Sequence, residues 1–281
     1  MAERPVTRLN KSDVLDPLFH VWRDIDQLLA GLPETVWAAK TSLPGWDAKA
    51  VVAHIIGTES FLAGIAAPEP DVDVSSLPHV RNDIGAMNEA WVCHFAEQPV
   101  ADVLERYRGV TADRQGFLRD MRVEQWDAPT ITPAGPDSYG RFMRIRVFDC
   151  WMHEQDIREA VDLPAPEAEL ANPAARLSLD EIESSMGFVV GKLAKAPEGS
   201  RVLFELTGPL AREIRVSVDG RAQVVQDFGG AEPTATIRLD GFQFTRFAGG
   251  RPMSEARPGE IEFGGDQELA ARIVERLAFV I

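Results

Sequence analysis

The spacing of apolar residues changes partway along this chain, and that change constrains the fold more than any other feature. Up to about residue 165, apolar residues recur every three or four positions, which is the spacing of amphipathic helices. The first such stripe consists of Leu15, Leu18, Phe19, Trp22, Ile25 and Leu29. Beyond residue 200, three runs alternate or are rich in β-branched residues, over 201–206, 213–218 and 234–239. These runs are typical of β-strands. The sequence therefore predicts an α+β protein in which a helical part precedes a mixed part.

The segment Pro164-Ala165-Pro166 separates two predicted domains. Residues 1–165 are expected to form an up-down bundle of four or five helices, a fold that builds metal sites from inward-facing side chains. Residues 173–281 are expected to form a small α+β domain, with a hairpin turn at Gly220. Between the last two helices of the bundle, residues 127–137 are predicted to form a long loop, and long loops in compact domains are often functional.

Composition narrows the classes of function. The 281 residues carry a formal net charge of −15, which disfavours binding to nucleic acid. No apolar run approaches the roughly 20 residues that span a membrane, and residues 1–5 lack the apolar core of a signal peptide. Cys93 and Cys150 are the only cysteines, too few for a disulfide framework. We therefore expect a cytoplasmic protein, monomeric or homodimeric, without a nucleic-acid or membrane partner.

Two short segments carry histidines in predicted helices. Asp149 and His153 are four residues apart, so they lie on one face of a helix and can fill two positions around a metal ion. His54, from another helix, can supply a third ligand, which leaves the open position of a catalytic zinc site. Spacing alone is weak evidence, because a solvated helix face is the commoner origin of such a pair and a half-buried histidine is the commoner role for His54.

Several motifs together resemble the mycothiol-dependent maleylpyruvate isomerase family, within the wider DinB-like superfamily of metal-binding four-helix bundles. The bundle motifs are Ser42-Leu43-Pro44-Gly45-Trp46-Asp47, Val52-Ala53-His54, Pro133-Ala134-Gly135, and Arg146 through Asp149, His153 and Asp156. The second half resembles a sterol-carrier-like α+β domain in its segments Gly250-Arg251-Pro252 and Phe263-Gly264-Gly265-Asp266.

The resemblance implies a divalent metal ion, most often zinc, and mycothiol as the thiol cosubstrate. The implied metal ligands are His54, Asp149 and His153. The family pattern has glutamate at the position of Asp149, whose side chain is one methylene shorter. Either the helix lies closer to the metal, or the site binds weakly, or the ligand set has changed, with Cys150 as the substitute.

Arginine side chains are candidates for binding the carboxylates of substrate and thiol, because the planar guanidinium binds carboxylate in a bidentate manner. Arg146 and Arg251 are the candidate catalytic residues, and Arg144 is the candidate for binding the thiol. Arg146 can instead pair with Asp149. Asp156 can accept a hydrogen bond from His153, as the outer partners of metal ligands do, or pair with Arg158.

Three functions follow, in order of preference. The first is a metal-dependent enzyme that activates mycothiol for S-transfer or for cis–trans isomerisation of a small electrophile such as maleylpyruvate. The second is a non-catalytic or sensory protein that binds a small ligand and has a degenerate metal site. The third is a metal-dependent hydrolase, for which Glu59 and Glu154 are the available general bases.

Overall fold

The computed structural model describes residues 6–252 and 260–280. Residues 1–5, where the sequence shows no apolar core of a signal peptide, lie outside these ranges. Residue 281, the last residue of the predicted second domain, does so too. The described residues up to Ala165 form one compact unit, and those from Pro166 to Val280 form a second. Each helix in the described residues is too short or too polar to span a membrane.

The first unit is helical. Its helices are α1 (Lys11–Ala30), α2 (Ala48–Leu62), α3 (Asp83–Ala96), α4 (Val100–Asp120), the single turn α5 (Val123–Trp126) and α6 (Tyr139–Ala160). Side-chain caps define four of the starts, because Asn10, Asp47, Asn82 and Ser138 each accept a hydrogen bond from a free N–H of the first turn of α1, α2, α3 and α6. Helix α1 packs against α4 and α6, and α2 packs against α3, α4 and α6. Helices α2 and α6 therefore meet inside the bundle.

The predicted loop over 127–137 is wrong in one respect, because most of it is a β-hairpin. Strand β1 (Pro129–Thr132) pairs antiparallel with β2 (Gly135–Ser138). The β-branched run Thr130-Ile131-Thr132 favours an extended strand. Gly135, at φ +95°, adopts a turn conformation that other residues rarely reach, and the Thr132 hydroxyl donates to its carbonyl at 2.7 Å.

The second unit has a five-stranded sheet. Its strands are β3 (Arg201–Thr207), β4 (Arg212–Asp219), β5 (Arg221–Val225), β6 (Ala235–Asp240) and β7 (Glu262–Gly265), in the order β5-β4-β3-β6-β7. Only the β3–β6 pair is parallel among the described strands. The helices are α7 (Pro173–Phe188), which continues as a π-helical turn over Val189–Leu193, α8 (Gly241–Ala248) and α9 (Gln267–Glu275). The predicted hairpin turn is confirmed, with Gly220 at φ +64° between β4 and β5. The predicted α+β class, helical part first, is confirmed.

The carboxylate of Asp137 ties the hairpin to the chain before α1. It accepts hydrogen bonds from the Thr7 N–H at 2.6 Å and from the Arg141 guanidinium at 2.8 Å. Burial alone would raise the pKa of Asp137, but the hydrogen bonds from Arg141, Thr7 and the Ser138 N–H outweigh it and lower the pKa to about 2. The ionised form is therefore the one that the folded state stabilises.

We predict that Asp137→Asn lowers the free energy of unfolding at pH 7 by about 2 kcal/mol, at about 1.4 kcal/mol for each unit of pKa difference. Since the folded-state pKa lies below the ordinary value of 3.8, this contribution is present above about pH 4 and is lost as the pH falls toward 2. Urea unfolding of both proteins between pH 3 and pH 7 measures it. A difference that does not shrink toward pH 3 contradicts this role of Asp137.

Candidate metal centre

The packing of α2 against α6 brings His54, Asp149 and His153 together inside the first unit. One ligand atom from each side chain lies within 4.8 Å of the other two. His54 Nε2 is 3.3 Å from Asp149 Oδ2, and His153 Nε2 is 3.6 Å from Asp149 Oδ1. Both histidines are buried, whereas the Asp149 side chain is 28% exposed. Solvent therefore reaches the cluster at Asp149.

These spacings fit a divalent metal ion. Bonds of about 2.0–2.2 Å from zinc to nitrogen and oxygen, in tetrahedral geometry, separate neighbouring ligand atoms by about 3.3–3.5 Å. The separation of 3.3 Å from His54 matches that spacing, and the separation of 3.6 Å from His153, which involves the other oxygen of Asp149, is slightly longer. Two imidazoles and one carboxylate also form an accepted donor set for zinc and several other divalent ions. That these residues bind metal stays a prediction.

Asp156 orients the ring of His153, as one of the two alternatives from the sequence expected. His153 Nδ1 lies 3.0 Å from Asp156 Oδ2, and Asp156 is fully buried. This contact turns Nε2, the other ring nitrogen, toward the cluster. Arg158, the alternative partner of Asp156, instead donates to Glu154 at 2.7 Å.

Trp46 lies against both histidines. Its ring centroid is 5.2 Å from that of His54 and 6.2 Å from that of His153. Its indole N–H donates to Glu89 Oε2 at 2.9 Å, and the same oxygen lies 3.0 Å from His79 Nε2. From the sequence, Trp46 counted only as a motif residue before α2, and neither His79 nor Glu89 had an assigned role. No local signal marked Glu89, because its burial follows from how the helices pack.

The charges around the cluster shift its pKa values in different directions. Burial lowers the pKa of His54, against the attraction of Asp149. Burial also opposes ionisation of His153, but Asp149 and Asp156 outweigh it and raise the pKa of that imidazole. Burial would raise the pKa of Asp149, but Arg146 and the two histidines hold it well below its usual value. The carboxylate is therefore ionised at neutral pH, as a metal ligand must be.

Arg146 contacts protein groups through each of its guanidinium nitrogens. Nε donates to Glu59 Oε1 at 2.8 Å, Nη1 donates to Asp149 Oδ2, and Nη2 donates to the sulfur of Cys150 at 3.4 Å. The ion pair with Asp149, one of the sequence-based alternatives, is therefore present. Arg144 is also buried on α6, five residues before Asp149. The roles of Arg144 and Arg146 toward thiol and substrate stay predictions.

Arg251 lies in the second unit, after α8. Its guanidinium donates to the carbonyl of Gly249. Its predicted catalytic role is not tested by this contact.

Cys150 is not part of the cluster, although the sequence made it the substitute ligand. The side chain is fully buried, and burial raises its pKa to about 12, against the attraction of Arg146. Burial therefore favours the protonated form of this thiol.

The two glutamates considered as general bases both have cationic partners. Glu59 lies between Arg114 and Arg146, and Glu154 accepts from Arg158. Both carboxylates are buried, at 0% and 3% exposed, so water and substrate have little access to them, which weakens the hydrolase hypothesis.

The fold and the cluster define a two-part protein in which a helical bundle with a candidate metal centre precedes an α+β unit. Residues 18–158 match the mycothiol maleylpyruvate isomerase N-terminal domain, and residues 176–272 match the C-terminal domain of the same family. The chain therefore belongs to the mycothiol maleylpyruvate isomerase family.

The chain is also similar to a curated relative and to two solved structures. An uncharacterized protein of Mycobacterium tuberculosis, in strain CDC 1551 / Oshkosh and in strain ATCC 25618 / H37Rv, is 25% identical over 189 residues, which cover 66% of this chain and 69% of the relative. The crystal structure of the mycothiol-dependent maleylpyruvate isomerase has 14% identity and a TM-score of 0.60, covering 91% of this chain and 93% of that one. A variant of that enzyme with one histidine replaced by alanine gives a TM-score of 0.57 at 14% identity, covering 87% and 90%. At this identity the structures establish the fold alone.

Gly45 lets the segment before α2 pass close to His79. Its φ is +83°, and a Cβ atom at this position would lie 2.8 Å from Cε1 of the His79 ring. Any side chain at position 45 therefore meets both backbone strain and a steric clash. The imidazole of His79 contacts the same oxygen of Glu89 that accepts the hydrogen bond from the indole of Trp46.

We predict that Gly45→Ala destabilises the protein by about 1–3 kcal/mol, because strain and displacement of His79 add together. Gly64→Ala is the matched control, since Gly64 has φ +81° with no atom within 4 Å of the position of a Cβ. Thermal unfolding of the two variants separates strain from clash. Equal losses of stability would contradict a specific role for the contact with His79.

Proposed function

We propose that this protein is a metal-dependent enzyme that uses mycothiol to isomerise a small electrophilic substrate such as maleylpyruvate between cis and trans forms. S-transfer to a related electrophile is the alternative reaction, since both reactions begin with attack by the thiolate. The observation that carries the proposal is the convergence of His54, Asp149 and His153 at distances of 3.3 and 3.6 Å. These residues lie in the part of the chain that matches the N-terminal domain of the family.

In this proposal His54 Nε2, His153 Nε2 and the Asp149 carboxylate hold a zinc ion. A bound divalent ion lowers the pKa of a coordinated thiol and so supplies a thiolate at neutral pH. The side chains of this protein prepare the site for it. Asp156 holds the ring of His153, the Asp149 carboxylate stays ionised beside Arg146, and Trp46 provides an aromatic wall beside both imidazoles.

The thiol would add to the conjugated double bond of the substrate, which leaves a single bond about which the molecule rotates. Elimination then restores the double bond in the other configuration and releases the thiol unchanged. Arg144 is our proposed contact for mycothiol, and Arg251 is our proposed contact for a carboxylate of the substrate. Arg146 is proposed to act on Asp149, because its nitrogens already contact protein groups.

A second candidate is a protein that binds a small ligand without catalysis. One observation favours it, namely that the guanidinium of Arg146 already occupies an oxygen of Asp149. A cation at that oxygen competes with a metal ion for the same negative charge. Metal content distinguishes this candidate from the enzyme.

We predict about one divalent metal ion per chain in protein purified without a histidine tag, and isomerisation of maleylpyruvate only when mycothiol is added. The double variant His54→Ala/His153→Ala should lose both the metal and the activity, because only one of the three ligands remains. Elemental mass spectrometry and an absorbance assay of the substrate measure the two outcomes. His94→Ala is the matched control, since this exposed histidine on α3 lies outside the cluster.

Isomerisation without added thiol would contradict the proposed use of mycothiol. Absence of metal from wild-type protein, even after incubation with zinc, would contradict the enzyme proposal and favour the ligand-binding candidate. Metal with thiol-dependent consumption of another electrophile, but not of maleylpyruvate, would favour S-transfer.

A further inference from the structure

A continuous chain of ion pairs runs from the interior of the bundle to the candidate metal centre. Arg114 of α4 donates to Glu59 Oε2 of α2 at 3.0 Å, and Arg146 of α6 donates to Glu59 Oε1 at 2.8 Å. Arg146 in turn donates to Asp149. The exposed fractions of the side chains are 2% for Arg114, 0% for Glu59, 3% for Arg146 and 28% for Asp149. The most exposed member of the chain is thus the one beside the two histidines.

The charges of the four residues in this chain of ion pairs balance. Two guanidinium groups alternate with two carboxylates, so each of the two inner members has an opposite charge on both sides. Burial of an unpaired charge is costly, and removal of one partner from a buried pair leaves such a charge behind. The arrangement is therefore strongly constrained, and a change at Glu59 must affect Arg146.

The chain of ion pairs ends on the carboxylate of Asp149, a candidate metal ligand. An aspartate side chain carries its carboxylate on a single methylene group, so the reach of that carboxylate from α6 is short. Arg146, three residues earlier on the same helix, holds Oδ2 of Asp149, while Oδ1 lies toward His153. The guanidinium thereby fixes the orientation of the carboxylate. Hydrogen-bonding partners of ligands commonly set ligand orientation in this way.

Glu59 sets the position of Arg146. Both of its carboxylate oxygens are engaged by guanidinium groups, and the side chain has no solvent exposure. The same residue joins α2, which carries His54, to α6, which carries Asp149 and His153. We propose that Glu59 is a positioning residue of the metal centre, acting through Arg146 to hold Asp149 in its ligating orientation. This inference rests on the proposed metal-dependent function.

The test is the affinity of the full-length chain for Co²⁺, measured from its visible absorption, and for Zn²⁺, measured by competition with a chelator. We expect Glu59→Gln to weaken both affinities roughly tenfold to a hundredfold, as changes to the partners of metal ligands typically do. Because this variant leaves an excess positive charge, Glu59→Gln/Arg114→Gln serves as a second variant that removes one charge of each sign. The same loss of affinity is expected for it.

Two further variants separate positioning from general stability. Leu18→Ala removes a fully buried side chain of α1 without changing any charge, so it should lower the thermal unfolding temperature and leave Co²⁺ affinity unchanged. Arg146→Gln and Glu59→Gln/Arg146→Gln should bind Co²⁺ with equal affinity, because Glu59 has no route to Asp149 once Arg146 is removed.

Wild-type affinity in the folded variant Glu59→Gln/Arg114→Gln would overturn the inference, and so would a matching loss of affinity in Leu18→Ala. Additive losses in Glu59→Gln and Arg146→Gln would also overturn it. If the wild-type protein itself binds neither Co²⁺ nor Zn²⁺, the proposed metal-dependent function fails and this inference fails with it. Failure of the inference alone is recognised when the wild-type protein binds Co²⁺ or Zn²⁺ and any one of these three outcomes is found.

Discussion

The packing of α2 against α6 is the interaction on which the candidate centre depends. His54 comes from the first helix, and Asp149 and His153 come from the second, so the ligand atoms meet only if the helices keep their spacing. Apolar contacts alone hold helices together with little directional preference. The buried ion pair between Glu59 and Arg146 adds a directional contact between the same two helices. Its cost is the desolvation of both charges, which the further pairs with Arg114 and Asp149 offset.

Much of the fold could be predicted from the sequence because helical and strand periodicities are local properties. The stripe from Leu15 to Leu29 indicates α1, and the alternating run over 213–218 indicates β4. The hairpin of β1 and β2 was missed, since its prolines and glycine dominated the interpretation and obscured the run Thr130-Ile131-Thr132. Short strands of this kind depend on pairing, which the sequence does not display.

The candidate site was predictable only in part. The spacing of Asp149 and His153 puts both on one face of a helix, and the family motifs add His54. By contrast, Glu59 with Arg114, and Trp46 with Glu89, are joined by contacts between residues far apart in the sequence, 55 and 43 positions respectively. Their partners depend on how helices pack rather than on local spacing. The sequence shows aspartate at position 149. The ion pair between Asp149 and Arg146 was only one of several alternatives that the sequence left open.

The most direct test of the central claim is X-ray absorption at the zinc edge of zinc-loaded protein, before and after addition of a low-molecular-weight thiol. We expect nitrogen and oxygen ligands alone before addition, and one sulfur at about 2.3 Å afterwards. Sulfur in the spectrum before any thiol is added would implicate a cysteine of the chain and contradict the ligand set of His54, Asp149 and His153. An unchanged spectrum after addition would contradict thiol activation at this centre.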